Sequence, residues 1–408
     1  MKKIVFSNLT IILALIIGAI FGLFENNFIY QVATVITTIF LNLLKLIGIP
    51  IVFLSLVSNI AGMKDLQEMK IFGRKIFGYA ILTTLIAASI ALIIFLIINP
   101  IHKSVVVLKP TEQTASYLSF LVDAIPDNFF KAFVNNNVIS VAILGIIFGI
   151  AILFLPKENK KTLHHFFNSF FLVFLKITKF IIALMPIGIF GFVCLFVKEI
   201  KQNSDNLKDL ILYSSCVVGA NLIQGLIILP LFLKLKKISP IRTFKGMSSA
   251  LITAFFTKSS NAALPISIKC SQDNLKISPK VANVTHSLCS VINMNACAGF
   301  ILITTLFVSK SFGMHFSIFE MIMWIFLATI AAIGNAGVPM GCYFLTCAFL
   351  SSMNVPLYLM GLILPIYTII DMIESALNVW SNSCICQVID KEIKEPISTP
   401  TIPIKTIE

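Results

Sequence analysis

MSSALITAFFTKSSNAALPISIKC, residues 247–270, is apolar on both flanks and polar in its middle. Thr257-Lys258-Ser259-Ser260-Asn261 interrupt the run, and Pro265 follows closely. Each arm is about 10–14 residues, roughly 15–20 Å as helix and about half the hydrocarbon thickness of a bilayer. A hairpin that dips in and turns back fits this better than one kinked span. Backbone freed at that depth is tolerated only inside protein or beside a water-filled cavity, so the pattern predicts a polar site at the turn. The run 320–350 breaks in the same way, at Gly334-Asn335-Ala336-Gly337-Val338-Pro339. Two interrupted runs in corresponding positions point to a midplane binding site between structural repeats.

Between the two runs, 281–308 is apolar but carries Asn293-Met294-Asn295. Two amides in an apolar span need partners. Local unwinding there would free carbonyls for a cation; hydrogen bonding between helices is the plainer alternative. In the last apolar run, 356–390, Asp371, Glu374, Ser375, Asn378 and Asn382 fall at i, i+3, i+4, i+7 and i+11. That spacing is one stripe of a helix. Carboxylates inside a span are costly and mark a functional site by default. For Glu374 the competing reading is a salt bridge to Lys258 that only locks helices together.

The rest of the 408-residue chain supports a lipid solvent: 58% of residues are hydrophobic and 12% charged, with a mean hydropathy of +0.96. Soluble domains carry about 25% charged residues. Further apolar stretches lie at 7–24, 31–61, 76–99, 136–155, 166–197 and 209–233, with Lys45 inside the second. The net charge of +13 is distributed along the chain rather than concentrated in a nucleic-acid patch. Lys and Arg gather at 2–3, 64–75, 157–161, 234–245, 269–280 and beyond 390, in segments that read as cytoplasmic, and thin out in the alternate connections. This is the positive-inside pattern, and it excludes a nucleic-acid partner. The segment 100–131 reads as a long external loop, and 391–408 as a disordered cytoplasmic tail. Cys384 and Cys386 are a weak metal signal and read as buried thiols. No pair among the five His has helical metal-ligand spacing, and His164-His165 reads as a solvated loop.

FFTKSSNAALP (255–265), INMN (292–295), IGNAGVP (333–339) and DMIESALN (371–378) resemble the dicarboxylate/amino acid:cation symporters, the family of glutamate/aspartate and serine/threonine carriers. LKLIGIPIVFLSLVSNIAGM (44–63) and NNNVISVAILGIIFGIAI (135–152) are similar to its second and fourth spans. The resemblance implies an all-α polytopic membrane protein of eight transmembrane helices and two re-entrant hairpins, built from inverted repeats and working as an elevator. It implies scaffold helices 1–2 in 1–75 and a third span of the transport domain in 76–99. The external loop and scaffold helices 4–5 would fill 100–208, and the remaining transport domain 209–390. It implies a homotrimer in a bacterial inner membrane with both termini cytoplasmic, and no enzymatic activity.

By this resemblance Asp371 binds the substrate ammonium. The carboxylate would meet the Asn378 amide and backbone N–H groups of the hairpin tips, from Ser260 and Asn261 in the first and from Gly337 and Val338 in the second, with Ser375 a further contact. Carriers of acidic substrates place an Arg where this chain has Glu374, and a Thr where it has Cys297. An anion facing an anion disfavours glutamate and aspartate, so the expected substrate is a small neutral amino acid such as serine, threonine or alanine. A cationic one stays open if Lys258 does not neutralise Glu374. Glutamate/aspartate symport is the alternative within the family, and a passive channel the alternative outside it.

For sodium, a hard ion that prefers oxygen, the resemblance implies carbonyls of Cys289, Asn293 and Asn378 in one site. Asn382 stands there in place of an Asp. A second site would use Val291, Ala332, Ile333, Asn335 and the Met294 sulfur. A third would use Thr83 and Thr84, with Asn295 again in place of an Asp. Fewer bound sodium ions are expected than in carriers of acidic substrates, with proton coupling through Glu374 as the alternative and no further cofactor.

Overall fold

The structure, a computed structural model, describes residues 2–62, 73–101, 125–134, 137–202, 205–335 and 340–394. Every regular element among them is helical. In chain order these are α1 (Lys2–Leu23), α2 (Asn27–Ala61), α3 (Arg74–Ile98), the short α4 (Phe129–Val134), α5 (Val138–Leu153), α6 (Lys157–Ala183), α7 (Met185–Gln202) and α8 (Asp205–Ile223). A single π turn, Gln224–Ile228, joins α8 to α9 (Leu229–Leu235). Then follow α10 (Pro240–Thr257), α11 (Ser260–Asp273), α12 (Pro279–Ile292), α13 (Asn295–Ser311), α14 (Ile318–Gly334), α15 (Gly341–Ser352) and α16 (Tyr358–Lys394).

Among the described residues six stretches are long and apolar enough to cross a membrane: Asn27–Ala61, Arg74–Ile98, Lys157–Ala183, Leu207–Leu235, Pro279–Ser311 and Tyr358–Lys394. With backbone bonds satisfied within each helix, such stretches can sit in hydrocarbon. Their outward faces are apolar too. Phe319, Ile322, Phe326 and Ile330 form an exposed stripe along α14. The chain is a multi-pass membrane protein.

The helices pack as two groups. α1, α2, α5, α6 and α7 pack on one another, whereas α3, α8, α14, α15 and α16 pack on α13, and α10–α12 pack on α16. Almost every residue of α13 is buried. The groups meet where α15 lies on α2 and α16 on α7. In the first group, Gly18 and Gly22 on α1 sit over the Phe190 and Cys194 backbone of α7, where a Cβ would have no room. This small-x-x-x-small spacing lets two helices approach without a hydrophobic driving force.

Local sequence sets the hairpins. Ser239 caps α10 with Pro240 at its first turn, and Ser278 caps α12 with Pro279 in the same role, the favoured helix start. Ser317 and Glu320 form a reciprocal capping box on α14. The arms run Pro240–Thr257 with Ser260–Asp273, and Ile318–Gly334 with Gly341–Ser352, so the first arm of each hairpin is longer than the spacing suggests.

Other boundaries shift for physical reasons. The stretch 166–197 is not one helix: α6 ends at Ala183 and α7 begins at Met185, because Pro186 has no N–H to continue the ladder. His164 and His165 lie within α6, not in a loop. α16 runs on to Lys394, so the first four residues of the expected disordered tail are helical. Glu392 explains it: Lys75 and Lys236 both reach its carboxylate at 2.8 Å, and the Tyr79 hydroxyl donates to it. Lys391 and Lys394 hold carbonyls of Lys236, Lys237 and Lys276 at the same end. Basic residues assigned to one side from charge alone therefore gather at one end of the molecule. Most of the expected external loop, and 395–408, lie outside the described residues.

Candidate functional site

The site is built where helices stop. α12 closes with the Asn293 N–H on the Cys289 carbonyl at 3.0 Å. Asn293 and Met294 then leave helical geometry (φ −110°, ψ 81°; φ −115°, ψ 62°) before α13 starts. One donor freed by the new start, the Ala296 N–H, is taken by Asn378 Oδ1 of α16 at 3.1 Å. At the first hairpin tip Lys258 adopts a left-handed conformation (φ 53°) and Ser259 caps α11. At the second tip Met340 is left-handed (φ 59°). Such backbone in non-glycine residues is uncommon and clusters at functional sites.

These tips and the α16 stripe enclose a cavity of about 10 Å³. Ser260, Cys297, Asp371, Glu374, Ser375 and Asn378 line it, as the sequence predicts. Met294 and Asn335, expected as sodium ligands, line it too, and so does Cys342 of α15. Asp371 and Glu374 are 4% and 1% exposed, yet Asp371 Oδ2 and Glu374 Oε1 have no hydrogen-bond partner. Their other oxygens share the Tyr367 hydroxyl, which lies 3.2 Å from Glu374 and 3.5 Å from Asp371. Lys258 acts on Asp371 rather than on Glu374, which speaks against the competing reading of a Lys258–Glu374 bridge. Desolvated, half-satisfied carboxylates are expensive, so the geometry suits a ligand that brings positive charge or donors.

A second polar cluster lies further along α16. Thr83 and Thr84 of α3 donate to Asn295 Oδ1 at 3.3 and 2.8 Å, and Thr83 also reaches Asn293 Oδ1 at 3.1 Å. The Asn293 and Asn295 amides both donate to Ser381 Oγ, at 2.9 and 2.8 Å. The better-satisfied orientation of Asn382 sends its amide nitrogen to the main-chain oxygens of Asn293 (3.3 Å) and Asn378 (3.1 Å). Asn293, Asn378 and Asn382 thus lie together, with the Cys289 carbonyl already held by the Asn293 N–H, and so do Thr83, Thr84 and Asn295. Oxygen-rich and without sulfur ligands, this cluster has the chemistry for a hard cation. The Cys297 and Cys342 sulfurs and a Glu374 oxygen, all within 4.8 Å of one another, are a softer set that suits thiophilic ions.

The comparisons agree with this architecture. Residues 8–392 match the model of the sodium:dicarboxylate symporter family. The chain belongs to this family. It is 25% identical over 407 residues to a putative sodium-dependent excitatory amino acid transporter, glt-4, of Caenorhabditis elegans, covering 86% of this chain and 81% of that protein. It is 26% identical to the neutral amino acid transporter B(0) of Rattus norvegicus, over 83% and 70% of the two chains. To an uncharacterized symporter of Haemophilus influenzae it is 26% identical, over 91% and 90%. As a member of the sodium:dicarboxylate symporter family the protein is a transporter, not an enzyme.

Several residues stand apart from the expectations drawn from this symporter family. Asn261 is exposed and does not line the cavity: it begins the outer side of α11, one residue after Ser260. Gly337 and Val338 lie outside the described residues. Val291 and Ala332 are buried and Ile333 half-buried, but the Ala332 carbonyl is already held by the Asn335 N–H at 3.1 Å. Sequence reasoning missed Tyr367, Ser381, Cys342 and Gln224, whose amide reaches the Thr83 carbonyl at 3.3 Å from the π turn. Tyr367 was findable, since it precedes Asp371 and Glu374 by four and seven residues on the same stripe. The π turn and the Cys342 contact carry no local signal.

Proposed function

We propose that this protein is a secondary active transporter for a small neutral amino acid such as serine, threonine or alanine, driven by a cation, with sodium the leading candidate. The observation that carries the reading is Glu374. It stands one helical turn after Asp371 in the same cavity, 1% exposed, with Oε1 unpartnered, and no arginine lines that cavity. A substrate side-chain carboxylate would face an anion at close range in a desolvated site, which costs several kcal/mol and discriminates against acidic amino acids. Asp371 receives the substrate ammonium. Asn378, Ser375 and Ser260 supply donors for its carboxylate.

In this reading α3 and α8–α16 form a transport domain that moves past a scaffold of α1, α2 and α5–α7, with α10–α11 and α14–α15 as re-entrant hairpins. Eight spans, a homotrimer in a bacterial inner membrane and cytoplasmic termini complete the proposal. The hard-ion cluster around Asn293, Asn295 and Asn382 holds few sodium ions, because its amides lack the negative charge that strengthens cation binding.

A cationic amino acid is the second reading, favoured by Lys258 acting on Asp371 and leaving Glu374 without a counter-charge. Uptake by the purified protein in liposomes decides among these. Serine uptake driven by an inward sodium gradient is expected. Aspartate uptake without serine uptake refutes the neutral reading, and lysine uptake in its place favours the second. Serine uptake indifferent to sodium but driven by a proton gradient refutes sodium coupling.

A further inference from the structure

We propose that Cys297 and Cys342 form a reversible thiol–disulfide latch that closes the cavity against substrate. The two residues come from different elements. Cys297 lies in the first turn of α13, the buried column of the molecule, and Cys342 in the first turn of α15, the second arm of the second hairpin. They are 45 residues apart, with Sγ atoms in contact and Cα atoms 5.5 Å apart, within the separation that a disulfide spans. Each is 2% exposed. The Asn335 amide donates to both sulfurs, at 3.0 and 3.2 Å, and the Asn378 amide to Cys297 at 3.4 Å.

Cavity size links the pair to transport. With the sulfurs in contact the cavity holds about 10 Å³, room for about one water. An amino acid needs several times that. In this proposal α15 draws away from α13 to admit it, and this movement parts the sulfurs. The linked and loaded states therefore exclude one another, and by linkage a bound substrate disfavours closure of the bond to the degree that the bond disfavours substrate.

The reagent is a small disulfide such as oxidised glutathione. It reaches the buried sulfurs when α15 stands away from α13. The Cys297 thiolate attacks one sulfur of the reagent, forms a mixed disulfide and expels one small thiolate. The Cys342 thiolate then attacks the Cys297 sulfur of the mixed disulfide and expels the second. Two protein thiols are oxidised by two electrons, the reagent is reduced to two thiols, and the two protons pass through solvent to the leaving thiolates. Dithiothreitol reverses the sequence.

The test treats the full-length protein in liposomes with oxidised glutathione. Peptide mass spectrometry without reduction is expected to find Cys297 joined to Cys342. Serine uptake is expected to fall by about tenfold or more and to return with dithiothreitol. In Cys342→Ser, and independently in Cys297→Ser, the ratio of treated to untreated uptake stays near one whatever the basal rate. Absence of the linked peptide in the wild type overturns the latch, as does undiminished uptake by protein shown to be linked. Only the uptake arm rests on the function proposed above. If serine is not the substrate, untreated protein shows no uptake while the linked peptide still forms, so the two failures are distinguishable.

Discussion

Two polar clusters on α16 solve the problem of burial in opposite ways. Around Asp371 and Glu374 the groups are acidic, and two carboxylate oxygens have no partner. Around Ser381 and Asn382 the groups are neutral, and amides and hydroxyls from α3, the α12–α13 break and α16 bond to one another. A buried charge with an open valence is stable only when something else completes it. A buried neutral network can complete itself. The first cluster is thus shaped for a visitor, whereas in the second the Asn382 amide nitrogen meets the carbonyl oxygens that a cation would otherwise bind.

Asp371→Asn attacks the first cluster most directly. It removes the anion that meets the ammonium, and breaking a buried charged pair costs about 3–5 kcal/mol, roughly a 10²–10⁴-fold loss of substrate affinity. Binding by thermal shift or calorimetry and uptake in liposomes should both collapse. Retained affinity would show that the ammonium sits elsewhere. Glu374→Arg comes next. Reversing the charge replaces repulsion with a bidentate carboxylate clamp and should shift the aspartate-to-serine uptake ratio by about tenfold or more.

Asn382→Asp probes the second cluster. A carboxylate cannot donate to the Asn293 and Asn378 carbonyls, so without sodium the variant should lose about 1–3 kcal/mol of stability. With sodium, the added negative ligand should raise apparent ion affinity by roughly tenfold. Thermal shifts across a sodium series read both effects. A variant as stable as the wild type and no more responsive to sodium would mean that the amide cluster is not a cation site.

Much of this contrast was legible in the sequence. The stripe from Asp371 to Asn382, the Asn293-Asn295 break and the two interrupted runs follow from helical period and the cost of polar groups in lipid, so position alone places them inside. What period cannot supply is a partner from another element. Cys342 meets Cys297 only because the second hairpin folds back on α13, and no helical spacing tells that the charge of Lys258 acts on Asp371 rather than on Glu374. Asn261 follows Ser260 in sequence, but successive residues on α11 point about 100° apart, so the Ser260 side chain lines the cavity while that of Asn261 is exposed.

Glu392 sharpens the comparison from the other side. It is another carboxylate on α16, but Lys75, Lys236 and Tyr79 complete it near the end of the helix, where its side chain is 23% exposed. A satisfied carboxylate should matter least. With Lys75 and Lys236 41% and 35% exposed, solvent screens the pairs, and Glu392→Gln should cost about 1 kcal/mol or less and leave substrate affinity unchanged. Hydrogen bonding to Glu392 raises the Lys236 ammonium above the ordinary lysine range. A raised value in the folded protein means that the contribution is fully present below the unfolded lysine value, about 10.4, and fades as pH climbs through the folded one. The thermal-shift difference between Glu392→Gln and wild type should therefore be flat through neutral pH and shrink in strong alkali. A loss of substrate binding in Glu392→Gln as large as that in Asp371→Asn would mean that charge on α16 matters wherever it lies, and that the missing partners around Asp371 and Glu374 are not what makes that cluster a site.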